Sequence, residues 1–318
     1  MRAEDRVLFL AARQDFQEEH RAAVEKLAPV DWEEVAAIAE SHGVAPIVGA
    51  NLKLERLERA FFENVLVKAQ EAERLAEGIG RLREAGYRVM LLKGTALDLL
   101  VYREPWVTVS KDADLLLRPE RSLSENERAV RRSLYRSGIE CDVPNHHDLD
   151  MNGVLPVRYD RIWEAARRVD YQGQEAFVMA NEDLLISLCV NSCRKRFFRL
   201  KHLFDIAEST RRLDLDWDRL AIRAREDRCE GIVYTALHVT RETLGCEVPD
   251  LEALRVPRSR VLLIRRLVDR FLRRGSLAAP PPPWLPYASY RWGQALKSLR
   301  VALTWQPPAH QTAILEGK

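Results

Sequence analysis

Two short stretches carry residues whose types and spacing suit chemistry. In "VMLLKGTALDLL", residues 89–100, an apolar run ends in Lys93-Gly94-Thr95 and a second apolar run follows with a different spacing. A little further on, "DADLLL" begins at Asp112. Side chains alternate across a strand, so Asp112 and Asp114 share a face with Leu116, while Leu115 and Leu117 turn the other way into a core. Two carboxylates that close repel each other unless a cation lies between them. Mg²⁺ or Mn²⁺ suits such an oxygen pair, and phosphate oxygens complete the shell. The Lys93-Gly94-Thr95 corner is the complement. A glycine lets backbone approach a ligand, the amides opening a helix favour an anion, and Lys93 adds a point charge. The corner is not a P-loop, because no glycine-rich run precedes the lysine. Each feature alone is an ordinary turn or a solvated strand start. Their order and context make a phosphate cradle beside a carboxylate pair, the minimum that nucleotidyl transfer requires.

The flanking pattern supplies the elements that position these groups. Residues 1–86 read as helical. Asp31-Trp32-Glu33-Glu34 has the form of a capping box, with Asp31 accepting from the amide three residues on and Glu34 reaching back. Trp32, Val35, Ala36 and Ala39 then follow one helical face, and Gly43 stops it. A longer helix is expected from about Glu58 to Ala85, ending at Gly86. The period then changes. Val89 to Leu92 reads as a buried strand, Thr95 to Tyr102 as a short helix, and Asp112 to Leu117 as a second strand. Pro119 suits the first turn of a helix running to about Arg136, with Gly138 closing it. "IECDV" and "HHDLDM" are two further strand candidates around Pro144-Asn145. Helices return after Leu155. Asn181 is the expected N-cap of "EDLLISLCVNSC", and three more helices follow it. Another, from about Pro257 to Arg274, is rich in arginine. "AAPPPPWLP" reads as a stiff linker to a last amphipathic segment.

The expected class is α/β (α+β), a small mixed-sheet core flanked by helical segments. Its divisions are 1–86 (helical), 87–178 (core), 179–275 (helical) and 276–318 (linker and amphipathic helix).

The 318 residues suffice for a large core, and 47% are apolar and 31% charged, an ordinary globular mixture. Lys plus Arg is 50 against 48 for Asp plus Glu, so the net charge of +2 argues against a dedicated nucleic-acid binder. The charge is uneven, since Arg255 to Arg274 holds eight arginines and one acid, Asp269. No run reads as a signal peptide or a membrane span. The five cysteines show no framework, so reduced thiols and a cytoplasmic location are expected.

"LLKGTALDLLVYREP" followed by "KDADLLLRPE" resembles the uncharacterised bacterial nucleotidyltransferases of the DNA-polymerase-beta-like superfamily. That family carries a Leu-Lys-Gly-x-Ala-Leu stretch and then an aspartate pair leading an apolar strand. "DWEEVAAIAESHGVAPIV" and "NEDLLISLCVNSCRKRFFRLKHLFDIAE" are similar to its helical segments before and after the core. The resemblance implies a metal-dependent transfer of a nucleoside monophosphate from NTP to an acceptor hydroxyl. By position, Asp112 and Asp114 would hold Mg²⁺ or Mn²⁺, and Lys93, Gly94 and Thr95 would cradle the triphosphate. A third carboxylate is implied at Asp148 in "HHDLDM", with Asp150 on the same face. Glu140 and Asp142 form a rival pair. Where the resemblance expects an arginine and a histidine, the chain has Thr108 and Asn191.

Other groups read more plainly. Cys189 and Cys193 share a helix face as buried thiols, since no second zinc-like pair follows. Arg194, Lys195, Arg196, Arg199, Lys201 and His202 read either as a solvated helix face or as a grip on substrate, with Arg199 and Lys201 as its candidates. Val261, Ile264, Val268 and Phe271 give the arginine-rich helix a buried face. Trp292, Leu296, Leu299 and Leu303 do the same for the last segment, which is expected to dock back onto the domain. The partners expected are an NTP and an acceptor left open among RNA, protein, peptide and small molecule. Two rivals stand beside this reading. One is a toxin-type nucleotidyltransferase acting on tRNA, whose Lys-Gly-Gly-Thr corner has one glycine more. The other is a non-catalytic nucleotide-binding protein of the same fold.

Overall fold

Apolar spacing and caps set the helices before the sheet. The computed structural model describes residues 1–298, apart from 28, 110–112, 123, 126–128, 131–132, 135–138, 143–148, 152, 250, 280–283 and 292. Five helices come first: α1 (Ala3–Ala11), α2 (Glu18–Glu25), α3 (Trp32–Ser41), α4 (Ala45–Leu52) and α5 (Glu55–Glu84). Asp31 caps α3 by accepting from Glu34 N at 3.1 Å. The reciprocal half of the expected box is absent. Glu34 pairs with Arg2, and Asp31 N donates to Glu4 Oε1 at 3.3 Å. Val35, Ala36 and Ala39 are buried as the period requires, joined by Ile38, whereas Trp32 is exposed. Gly43 stops the helix in the left-handed region, at φ +72°.

The sheet has five strands: β1 (Tyr87–Leu91), β2 (Ala113–Pro119), β3 (Ile139–Asp142), β4 (Arg167–Tyr171) and β5 (Gln174–Val178). Their order is β3-β2-β1-β5-β4. β1 runs antiparallel to β2 and parallel to β5, while β2 is parallel to β3. The fold is therefore α+β with a mixed sheet. β1 is central, and Val89, Met90 and Leu91 are all buried. Helix α6 (Lys93–Leu100) opens two residues earlier than its spacing suggests, with Leu92 as N-cap. Pro119 does not open a helix. It ends β2, where a missing N–H is harmless at the end of a ladder. The "HHDLDM" strand is not found at its described residues. Leu149 to Met151 form a turn in which Asp150 Oδ1 accepts from Gly153 N at 2.9 Å.

The second helical group comprises α7 (Tyr159–Glu164), α8 (Asn181–Arg194), α9 (Leu200–Arg212), α10 (Trp217–Glu226), α11 (Glu230–Leu244), α12 (Arg258–Arg274) and α13 (Trp284–Ser289). Asn181 is not the cap of α8, because Ala180 holds that position. Asn181 Oδ1 accepts from Arg167 Nη2, and its Nδ2 donates to Asp214 O, both at 2.7 Å. Phe197, Phe198 and Phe204 are among the largest fully buried side chains. Cys189, Cys193, Cys229 and Cys246 are free and buried, and burial pushes the Cys193 thiol up to about 12. Beyond the proline run, α13 packs against α11. A Cβ on Gly231 would lie 2.2 Å from Ser289 O, so only glycine allows α13 this close to α11. Leu296 departs from its expected stripe and is exposed, while Trp292, Leu299 and Leu303 lie outside the described residues. Among the described residues, no helix is long and apolar enough to cross a membrane.

Candidate functional site

The β1–β2 register decides what meets at this end of the sheet. Leu91 pairs with Leu115 in the antiparallel ladder, and Leu92 N donates to Asp114 O at 3.0 Å. The chain leaving β1 therefore lies against the chain entering β2. Lys93 then turns into the left-handed region, at φ +46°, and its Nζ meets Asp114 Oδ1 at 2.9 Å. A lysine held there costs of order 1 kcal/mol, and such strain gathers where a side chain must be aimed. The strain falls on Lys93 and not on Gly94. Asp114 is only 8% exposed. Leu92 gives α6 no side-chain cap, so the first-turn amides favour an anion. The Thr95 side chain is buried beneath that turn.

A chain of polar contacts ties this corner to the helices on either side. Lys68 of α5 reaches Asp98 of α6 at 2.8 Å. Burial raises the Asp98 carboxyl above its ordinary range, against the opposing pull of Lys68. Tyr102 donates to Asp205, whose other oxygen takes Lys201 Nζ at 3.0 Å. Burial, with Asp205 close by, pushes the Tyr102 phenol well up.

The turn between α8 and α9 is strained and basic. Arg196 and Phe197 both have positive φ, at +59° and +65°. Phe197 and Phe198 are buried and anchor the turn, while Lys195 and Arg199 remain exposed. Behind it, Asn191 Nδ2 donates to His202 Nδ1 at 3.2 Å. Burial holds the His202 ring neutral, helped by the charges of Lys201, Arg199, Lys195 and Lys93. Backbone contacts bring the end of α3 to the same place. Lys201 N donates to His42 O at 3.2 Å, and Val109 N to Gly43 O at 3.4 Å. The loop leading to Asp112, the end of α3 and the start of α9 thus converge.

With the geometry in place, the comparisons with known proteins add one finding. Residues 28–245 match the family described as "Uncharacterised nucleotidyltransferase". The chain belongs to that family. The match takes in α3 to α5, the corner with β2, and α8 to α11. Membership supports a general role in nucleotidyl transfer and implies a nucleotide substrate. No curated protein and no solved structure matches the chain.

Within this member of the family, Lys93, Gly94, Thr95 and Asp114 come together at one corner. Asp112 and Asp148 lie outside the described residues. Asp150 does not face β2 from a strand. The strand beside β2 is β3, whose position 140 pairs with Asp114 and position 142 with Leu116. Glu140 therefore stands beside Asp114 in the ladder, while Asp148 lies outside the described residues. Thr108, in place of an arginine, is buried, and its carbonyl accepts from Asn64 at 3.2 Å. Asn191, in place of a histidine, holds His202, so an imidazole is present there from another helix. Lys201 is committed to Asp205, whereas Arg199 has no partner among the described residues. Lys68, Asp98, Tyr102 and His42 had no local signal, because their partners lie far away in the chain.

The donor chemistry fits a hard cation in kind. Asp114 offers a nearly buried carboxylate at a strand end, already held beside positive charge. Among the described residues no group of three His, Cys, Asp or Glu gathers.

Proposed function

We propose that the protein moves a nucleoside monophosphate from an NTP to an acceptor hydroxyl. The Lys93–Asp114 contact at the strained β1–α6 corner carries this reading. It sets an aimed ammonium, uncapped helix amides and a sheltered carboxylate side by side. Lys93 and the first-turn amides of α6 bind and orient the phosphates. Mg²⁺ or Mn²⁺, held by Asp112 and Asp114, would supply charge neutralisation on the phosphate oxygens. The acceptor oxygen bonds to the α-phosphorus, the bond to the bridging oxygen breaks, and pyrophosphate leaves. A carboxylate takes the acceptor's proton. The pairing of β3 with β2 supports Glu140 or Asp142 for that role ahead of Asp148.

Incubation with NTP labelled on the α-phosphate, Mg²⁺ and a cell extract tests the proposal. Label is expected on an acceptor, with release of pyrophosphate, and Asp114→Asn should abolish both. NTP binding with no transfer in any extract would favour the non-catalytic reading.

A further inference from the structure

We propose that the exposed arginine–leucine face of α12 holds the protein on an anionic lipid surface, and that the groove beside it takes a headgroup phosphate. This goes beyond nucleotidyl transfer and does not depend on it.

Charge is segregated along the chain. Residues 255–298 carry nine arginines and one lysine against one acid, Asp269, so this stretch holds +9. The whole chain is +2, which leaves the remainder at −7. The helical period then splits α12 lengthwise. Ile264 and Val268 are buried, with Phe271 half-buried beside them, while Arg258, Arg265, Arg266, Arg270 and Arg273 are exposed. Asp269 lies 3.8 Å from Arg273. Arg258, Arg266 and Arg270 have no partner among the described residues.

Two leucines stand among these arginines. Leu262 is 57% exposed and Leu263 48%. Helix α13 packs against α12 and leaves Trp284 and Tyr287 exposed. Arginine with leucine, tryptophan and tyrosine suits a boundary where phosphates lie above acyl chains. RNA would engage the arginines and stack on the rings, but it offers the leucines nothing. The acidic remainder of the chain is repelled by an anionic surface, so the α12 side is the one presented to it.

The groove between α11 and α12 holds about 440 Å³. Arg241, Arg258 and Arg265 line it, with Glu252 as its one described acid, and Leu262 belongs both to the groove and to the exposed face. Arg241 also reaches Glu242 at 3.5 Å. Arg265 is aimed, since its Nε donates to the Tyr234 hydroxyl at 2.9 Å. That leaves the two terminal nitrogens of its fork without a partner among the described residues. Such a fork matches the oxygens of a phosphate.

Co-sedimentation of the full chain with vesicles tests the proposal. Phosphatidylcholine mixed with phosphatidylglycerol at about 2:1 should carry the protein down, pure phosphatidylcholine should not, and salt should release it. Arg266→Ala and Arg270→Ala should each weaken binding about 5-fold, the value of one arginine near an anionic surface. Leu262→Ser should also cost about 5-fold, because the leucine can no longer bury its exposed half. Arg265→Ala should cost about 10-fold, since it removes a phosphate fork as well as a charge. Arg59→Ala, on α5, should change nothing. These side chains are exposed, and an unchanged circular dichroism spectrum confirms that each variant folds. No sedimentation with the anionic vesicles at low salt would overturn the proposal. Equal losses for Arg265→Ala and Arg270→Ala would overturn the headgroup site. If an RNA oligonucleotide or poly-glutamate binds as tightly as the vesicles, and Leu262→Ser weakens none of them, the face serves that polyanion and the lipid assignment falls.

Discussion

The two ends of α8 hold charge in opposite ways. At its start, Asp183 takes Arg223 at 2.6 Å and Arg161 at 3.3 Å, and Arg161 also reaches Asp227 at 2.7 Å and Glu226 at 2.8 Å. Each of these acids has an arginine. Burial still raises the Asp183 and Asp227 carboxyls, with the arginines opposing it. At its far end, burial and the nearby charges of Lys201, Arg199 and Lys195 lower the proton affinity of His202, and Arg199 finds no described acid. The helix dipole favours acids at the first end and cations at the second, so it does not separate the two. The balance of partners does. A cross-linked cluster holds helices together, whereas Arg199 is tied to no described acid.

Breaking the cross-linked end should produce the largest loss of stability. Asp183→Ala leaves Arg161 and Arg223 without their shared carboxylate, a change that costs about 3–5 kcal/mol in buried pairs. Chemical denaturation should show that loss, and an unchanged midpoint would remove the distinction between the ends. Arg199→Ala should shift the midpoint by less than about 0.5 kcal/mol, as for a surface side chain with no partner. A large destabilisation there would make Arg199 structural.

Gly94→Val sharpens the comparison at the corner. A branched Cβ on the first turn of α6 would crowd the phosphate approach more than the fold. NTP affinity should fall at least about 10-fold with little change in melting temperature. Normal NTP binding would reduce Lys93-Gly94-Thr95 to an ordinary turn.

A further effect concerns pH. Burial lowers the proton affinity of His42, His202 and His238 from the ordinary value of 6.5. The unfolded chain then binds more protons than the folded one below about pH 6.5. Stability from this source is complete above that pH and falls as acid is added, by up to about 1.4 kcal/mol per histidine per pH unit. The buried carboxylates act with the opposite sign at lower pH, so the difference between wild type and His202→Gln isolates one ring. His202→Gln should flatten the decline between pH 6.5 and 5.5. An unchanged slope would mean that His202 is already charged in the fold.

Much of the corner was legible because it is local. Alternation placed Asp114 opposite Leu115, and the break in period marked Lys93 as the hinge between strand and helix. The third carboxylate was not legible. "IECDV" and "HHDLDM" carry equally spaced acids, and spacing cannot choose between them. Pro119 and Asn181 misled for a related reason. Each suits a helix start by type, but one closes a strand and the other is held by Arg167 and Asp214. The basic turn could be read only as a cluster. Its strain at Arg196 and Phe197, and its approach to His42 and Lys93, depend on contacts between distant segments.

Mn²⁺-dependent NTP binding, measured by titration calorimetry on wild type and Asp114→Asn, tests the corner most directly. The wild type should bind NTP more tightly as Mn²⁺ is added. Asp114→Asn should lose that dependence while its circular dichroism stays unchanged. Equal Mn²⁺-dependent affinity in the two proteins would contradict a nucleotide site at Lys93 and Asp114.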